Sequence, residues 1–421
     1  MHEMKIIVIT LCCLLVVWSP IRPVAVEFEP DSLSLKTRLQ VFEKVWTTIN
    51  EGYYDPNFNG VNWSEVHERY RPRVEGTKSD EEFYAIIRQM LLELHDLHTS
   101  FVAPGELPRS SGISVFEVED KIVVVEVEPD SDATRAGVKA GMIVRTVDGQ
   151  PIDERLAELS LELGHWTNKQ AYRFYQSRAV LRGPANTTFK LGLERADGTR
   201  FEVVFTRRAV ASPEAKLISY RLPSGFTYLK VNHALFSPVD DQFDREFQNL
   251  KDSPGLIIDL RGINGGDIKN VGLKIADHFF ASKVSFGRFT NRSGGTPLHR
   301  SLSAGSIGQL YRPPVVILID EATRSAGEVF AKGFQENGRA KIIGRQSCGC
   351  VLDRDTKNLT GGAVLYYSHL GFISSKGQIL EGSGVMPDKT VPLTINALRL
   401  GHDAILEEAE NTLKAQQSSS R

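Results

Sequence analysis

Three short runs of branched apolar residues, each followed by a helix start, constrain this chain more than any other feature. They are "FTYLKVN", "GLIIDLR" and "VVILID". Their apolar residues are continuous rather than alternating, as in strands buried on both faces of a mainly parallel sheet. After the first run, Ser237-Pro238 opens a helix with Val239, Phe243, Phe247 and Leu250 facing inward. After the second comes the turn "GINGG", and Asp267 then opens a helix through Ile268, Val271, Ile275 and Phe279. After the third, Ser325 opens a helix carrying Val329, Phe330 and Phe334. This alternation over about 212–398 predicts an α/β core with its site at the C-terminal ends of the strands.

Ser325 has two readings. Ser325-Ala-Gly-Glu328 fits a capping box, with serine at the N-cap and glutamate at N3. The same geometry exposes a serine hydroxyl beside helix amides that can face a developing oxyanion. These residues alone leave both readings open.

The rest of the chain falls into blocks. Residues 32–108 read as helices: Leu35, Leu39, Phe42, Val45, Trp46 and Ile49 form one apolar stripe, and Ser79 with Glu82 starts a second helix. Residues 109–208 are strand-rich, with hairpin turns at Asp148-Gly149 and Asp197-Gly198 and a helical insertion over 153–182. The end, "HDAILEEAENTLKAQQSSSR", reads as a polar, fraying helix.

At 421 residues, 41% hydrophobic and 24% charged, the chain has enough apolar material for two or three domains. Its net charge of -2 gives no electrostatic case for binding nucleic acid or an anionic membrane. Lys5, the run "IIVITLCCLLVVW" and small residues near Ala25 read as a secretory signal peptide over 1–26. The run is short for a membrane span. Export to the periplasm or the outside is expected, with no stable span after cleavage and a membrane tether if the leader is kept. Cys12 and Cys13 fall in that leader. Cys348 and Cys350, in "SCGC", read as two free loop thiols, with a local disulfide as the alternative. No zinc spacing, phosphate-binding loop or dinucleotide fingerprint is present, so no metal and no cofactor are expected.

Six stretches occur in an order that resembles the C-terminal processing (tail-specific) serine proteases, peptidase family S41. They are "VWTTINEGYYDP", "LLELHDLHTSF", "GVKAGMIVRTVDGQPI", "GLIIDLRGINGG", "ILIDEATRSAGEVFA" and "EGSGVMPD", and the resemblance spans about 34–395. It implies an α/β core of stacked β/α units, similar to the Clp protease and crotonase folds, with an N-terminal helical segment and a PDZ-like β-rich domain. The implied division is a signal peptide 1–26, a helical segment 27–108, a PDZ-like peptide-binding domain 109–208, a protease core 212–398 and a helical tail 399–421.

The resemblance also implies Ser325 as nucleophile, with oxyanion donors from Ala326 and the Gly265-Gly266 turn. Many members place a lysine base 25 residues after the serine, where this chain has Cys350. A cysteine does not supply that base. The tricorn-like branch uses Ser, His and Glu instead, and the matching positions here are His98 in "DLHTSF" and Glu381 in "EGSGVMPD". Tricorn-like enzymes carry a serine before that histidine, where this chain has Leu97, and His95 is the competing base. In the PDZ-like block, "SGISVF" is the implied carboxylate loop, starting at Gly112 and Ile113. The expected function is that of an exported serine endopeptidase acting on unfolded or tail-bearing proteins. The alternative is a catalytically inactive relative that binds peptides or another ligand, since retinoid-binding proteins of the eye resemble the same core.

Overall fold

The continuous apolar runs become the middle of a six-stranded sheet. Its order is Lys216–Arg221, Thr227–Asn232, Leu256–Asp259, Val315–Ile319, Ala340–Gly344, Lys389–Thr390. The first pair is antiparallel and the others are parallel. Every residue of Leu256–Asp259 and Val315–Ile319 is buried, which is why their pattern is continuous rather than alternating. The computed structural model describes residues 32–419 except 108, 164–168, 211–213, 298–299 and 306–308. The leader assigned to 1–26 lies outside the described residues.

Alternate residues of these strands feed two cores. Leu256, Ile258, Val315 and Ile317 pack with Val239, Phe243 and Phe247 of helix Val239–Leu250 and with Val329, Phe330 and Phe334 of helix Ala326–Glu336. Ile257, Val316 and Leu318 point the other way, onto Ile405, Ala409 and Leu413 of the C-terminal helix Ala404–Ser419. The expectation of a fraying tail is therefore corrected. The helix is polar overall, but its buried residues recur every four positions and cover one face of the sheet.

A second sheet was not anticipated. It runs Ser100–Val102, Val364–Ile373, Val284–Thr290, Ser301–Ala304, with Asp353–Asn358 also paired to Val364–Ile373. Ser100–Val102 joins it antiparallel, with Ser100 opposite Tyr366. The three N-terminal helices, Leu35–Gly52, Trp63–Glu75 and Asp80–Leu92, are thereby fastened to the core. Their shared core includes Phe42, Trp63 and Phe83, and it extends onto Leu359, Ala363 and Leu365.

The strand-rich block has its own antiparallel sheet, in the order Ile113–Val118, Lys121–Val127, Ile143–Val147, Thr188–Glu194, Arg200–Thr206. Both hairpins form where the turn residues place them. Asp148 and Gly149 both take positive φ (51 and 83), as a type I′ turn requires. Helices Ile152–Leu163 and Lys169–Ala179 fill the insertion. Among the described residues, no helix is long and apolar enough to cross a membrane.

If the C-terminal helix is part of the core, Leu413→Ala should cost roughly 2–5 kcal/mol. The exposed neighbour Lys414→Ala should cost little. Urea unfolding midpoints of the two variants check this, and equal midpoints would return the helix to a frayed tail.

Candidate active site

Ser325 sits where the strand Val315–Ile319 has ended and the helix Ala326–Glu336 begins. Its backbone is strained, with φ 55 and ψ -123, a region that non-glycine residues rarely occupy. Two acceptors hold it there: the Ser325 amide donates to the Cys350 carbonyl at 2.8 Å and to Glu328 Oε2 at 3.0 Å. Glu328 is wholly buried. Its carboxylate also accepts from Ser347 Oγ at 2.5 Å, from the Gly349 amide at 2.7 Å and from the Cys350 amide at 2.9 Å. Burial pushes its pKa up to about 7, while these donors pull it back toward the ionised form.

Gly265 lies against the serine. A Cβ at this position would come 2.8 Å from Ser325 Cβ and 3.1 Å from Oγ, and its φ is +101. Only glycine fits. Gly266, at φ +137, passes so close to the Leu235 backbone that a side chain would overlap it. The turn is pinned there: the Leu235 amide donates to the Gly265 carbonyl and the Asp267 amide to the Leu235 carbonyl, both at 2.8 Å. The Gly266 amide takes no part in that bridge. Ala326 follows as the first residue of the helix.

These groups open onto a cleft of about 1060 Å³ whose lining includes His98, Asn264, Gly266, Arg324, Ser325 and Ala326. The structure thus brings His98 from the N-terminal block to the cleft of Ser325; His95 is not among the lining residues. The ring of His98 is nearly buried, and among the described residues its Nδ1 has no hydrogen-bond partner. Burial pushes its pKa down to about 4, against the pull of Asp96, so the imidazole is neutral at pH 7.

Among the described residues, Glu381 makes no hydrogen bond to that imidazole. It accepts from the Val351 amide at 2.7 Å and makes no ion pair with His98. Burial and the nearby Asp96 push its carboxyl well above the ordinary range. The carboxylate beside His98 is Asp96, with Oδ1 4.0 Å from Nδ1. Asp96 holds the segment rather than the ring. Oδ1 accepts from the His98 amide at 2.7 Å, and Oδ2 from the Thr99 and Ser368 hydroxyls, both at 2.6 Å. Sequence reasoning missed Asp96, although an aspartate two residues before a histidine at a helix end is a turn signal that could have marked it. It also missed Arg324, which no motif distinguishes from any other arginine.

The expectation of free thiols is corrected. Cys348 and Cys350 form a disulfide, packed under Leu97, Tyr172 and Tyr175. Cys350 meets Ser325 through its backbone carbonyl, not its sulfur. In the strand-rich block, Gly112 has φ +77 and its amide donates to Ser110 Oγ at 3.0 Å. Ile113 begins the edge strand Ile113–Val118, against which helix Lys169–Ala179 packs.

Comparison with known proteins points to a family. The model of peptidase family S41 matches residues 226–391, and that of the tricorn protease C1 domain matches 35–92. A carboxyl-terminal-processing protease of Synechocystis sp. is 25% identical over 378 residues, covering 86% of this chain and 83% of that protein. Over residues 226–391 the chain is similar to peptidase family S41. These matches support a serine-type peptidase, and the curated relatives are named as carboxyl-terminal-processing proteases. Two solved structures share the fold. The photosystem II D1 C-terminal processing protease aligns with TM-score 0.55 at 20% identity, over 90% of this chain and 97% of that one. Mature CPAF aligns with TM-score 0.69 at 15% identity, again over 90% and 97%.

Two outcomes follow from this site. Gly265→Ala should lower kcat on the order of 10²-fold or more by forcing Ser325 and the turn apart, with the circular dichroism spectrum unchanged. Near-normal turnover would remove Gly265 from the site. His98 gives a stability signature. Between its ordinary pKa of 6.5 and about 4, the unfolded chain binds a proton that the native state does not. The stability of the native protein relative to a His98→Asn variant should therefore fall as pH drops through that window. Chemical denaturation of both proteins from pH 7.5 to 4 reads the difference.

Proposed function

We propose that the chain is an exported serine endopeptidase cutting unfolded or tail-bearing proteins with Ser325, His98 and Glu381. The single observation that carries this reading is the contact of Gly265 with a strained Ser325 at a helix start, in a cleft that also holds a neutral His98.

The chemistry runs as follows. The imidazole of His98 takes the hydroxyl proton as Ser325 Oγ attacks the scissile carbonyl carbon. Negative charge collects on the carbonyl oxygen, where the amides of Ala326 and of Gly265 or Gly266 stabilise it. The C–N bond breaks and the amine leaves with the proton from His98. Water, deprotonated by the same imidazole, then releases the acyl group from the serine. Glu381 orients the imidazole once substrate closes the site. Catalytic hydrogen bonds commonly tighten in the substrate complex. Residues 109–208 act as a PDZ-like unit that takes a peptide as an added strand along the edge Ile113–Val118, with Gly112 and Ile113 at its mouth. The division at 27–108, 109–208, 212–398 and 399–421 follows that assignment, and the 1–26 leader directs the chain across a membrane.

A second reading, an inactive peptide- or ligand-binding relative, is favoured by one observation: Glu381 bonds Val351 and leaves His98 Nδ1 unpartnered. One experiment separates them. A fluorophosphonate probe should label the wild type at Ser325 and fail on Ser325→Ala and His98→Ala. The double mutant should turn over scarcely less than either single, because the members act as a unit. Glu381→Gln should keep the fold and lose on the order of 10²–10⁴ in kcat. An unlabelled wild type with no peptide turnover would leave the binding reading.

A further inference from the structure

Resting on the endopeptidase reading, we propose that Arg324 and Arg354 form an anion subsite beside the nucleophile, which takes a carboxylate of the substrate peptide. Both line the cleft of Ser325 and His98. Arg324 directly precedes Ser325 in the chain and is half-buried. Among the described residues its side chain makes one hydrogen bond, to Asn264 Oδ1 at 3.1 Å, which uses one of its five N–H donors. Arg354 lies over the Tyr366 ring, 4.4 Å from the centroid. Among the described residues, neither has an acidic partner within ion-pair distance.

The acids around the cleft are already engaged. Asp353 pairs with Arg300 at 2.7 Å. Asp267 caps its own helix start through the Asn270 amide at 2.9 Å and the Asn270 side chain at 2.7 Å. Asp355 accepts from the Thr356 amide at 2.7 Å and lies 3.3 Å from the Tyr367 hydroxyl. Asp96 and Glu381 are held as described above. The two guanidiniums repel one another, and Arg178, from the helix Lys169–Ala179, adds a third positive charge within electrostatic reach of Arg324; Glu328, already engaged by its own four donors, offsets this only in part. Arg354 is exposed, so the cost falls on Arg324: an arginine partly withdrawn from water without a carboxylate is unfavourable, and a ligand that supplies one recovers that as affinity. The planar fork of donors fits a carboxylate in two-point geometry. Such an anion would lie beside the scissile bond, since Arg324 and Ser325 are neighbours on one turn.

Two peptide groups carry that chemistry: an internal Asp or Glu side chain, and the C-terminal carboxylate. The test uses the full-length Ser325→Ala protein, so that binding is read without turnover. Three peptides of one length are compared by fluorescence anisotropy. The first has an internal glutamate and an amidated C-terminus. The second has glutamine in its place and a free C-terminus. The third is neutral at both positions. One of the charged peptides should bind about tenfold or more tightly than the neutral one, and which one it is names the source. Adding Arg324→Gln should erase that preference, and adding Arg354→Gln should reduce it. Equal binding of all three peptides, or a preference that survives both substitutions, overturns the subsite. The same peptides with active wild type separate the two proposals. Selective binding without turnover sinks the endopeptidase reading alone, and unselective turnover sinks the subsite alone.

Discussion

The buried carboxylate of Glu328 is the interaction on which the site depends. It lies on the first turn of the helix that Ser325 opens, and four donors converge on it: the Ser325 amide, the Ser347 hydroxyl and the amides of Gly349 and Cys350. A carboxylate taken out of water is unfavourable unless it is fully hydrogen-bonded. Here the donors come from two segments that are distant in sequence, so satisfying the charge forces the 347–350 loop against the helix start. That loop returns the favour through the Cys350 carbonyl, which accepts from the Ser325 amide. The unusual φ of Ser325 is thus held from both sides. A capping box satisfies its own helix; this one also fixes a second loop.

The disulfide between Cys348 and Cys350 belongs to the same clamp. It lies in the loop that Glu328 holds, and it turns the sulfur of Cys350 toward Leu97, Tyr172 and Tyr175 rather than toward Ser325. A position that supplies a lysine base in many relatives supplies backbone geometry here. Its carbonyl accepts from the Ser325 amide and its amide donates to Glu328, and the side chain is occupied elsewhere. This makes the origin of the base a question of what else reaches the cleft, and the imidazole that does so is kept neutral by burial.

Much of this was legible in the sequence. The buried strands announced themselves by continuous apolar runs, the hairpins by Asp148-Gly149 and Asp197-Gly198, and the capping box by Ser325 and Glu328. What stayed hidden shares a physical cause. The tail helix buries only Ile405, Ala409 and Leu413, a narrow stripe drowned by polar neighbours in a composition reading. The second sheet is made of strands with mixed exposure, and Asp353–Asn358 has not one fully buried residue. Such strands owe their existence to pairing with Val364–Ile373, a long-range property with no local pattern. The pairing of Cys348 with Cys350 depends on a loop conformation that Glu328 imposes, and spacing alone left it open.

That hidden sheet delivers His98 to the cleft. His98 lies two residues before the strand Ser100–Val102, which pairs with Val364–Ile373. Asp96 completes the fastening: one oxygen takes the His98 amide and the other takes Ser368, a residue of that same partner strand, 272 positions away in sequence. The imidazole is therefore positioned by β pairing and a buried carboxylate rather than by the helix that precedes it. Loss of the Asp96–Ser368 contact would free the N-terminal segment from the sheet at the point where it enters the cleft. Neither a truncated core nor an isolated helical segment contains both halves of this arrangement. Ser325 and the imidazole share one cleft only when residues near 100 and residues near 368 have folded together, which couples assembly of the site to completion of the fold.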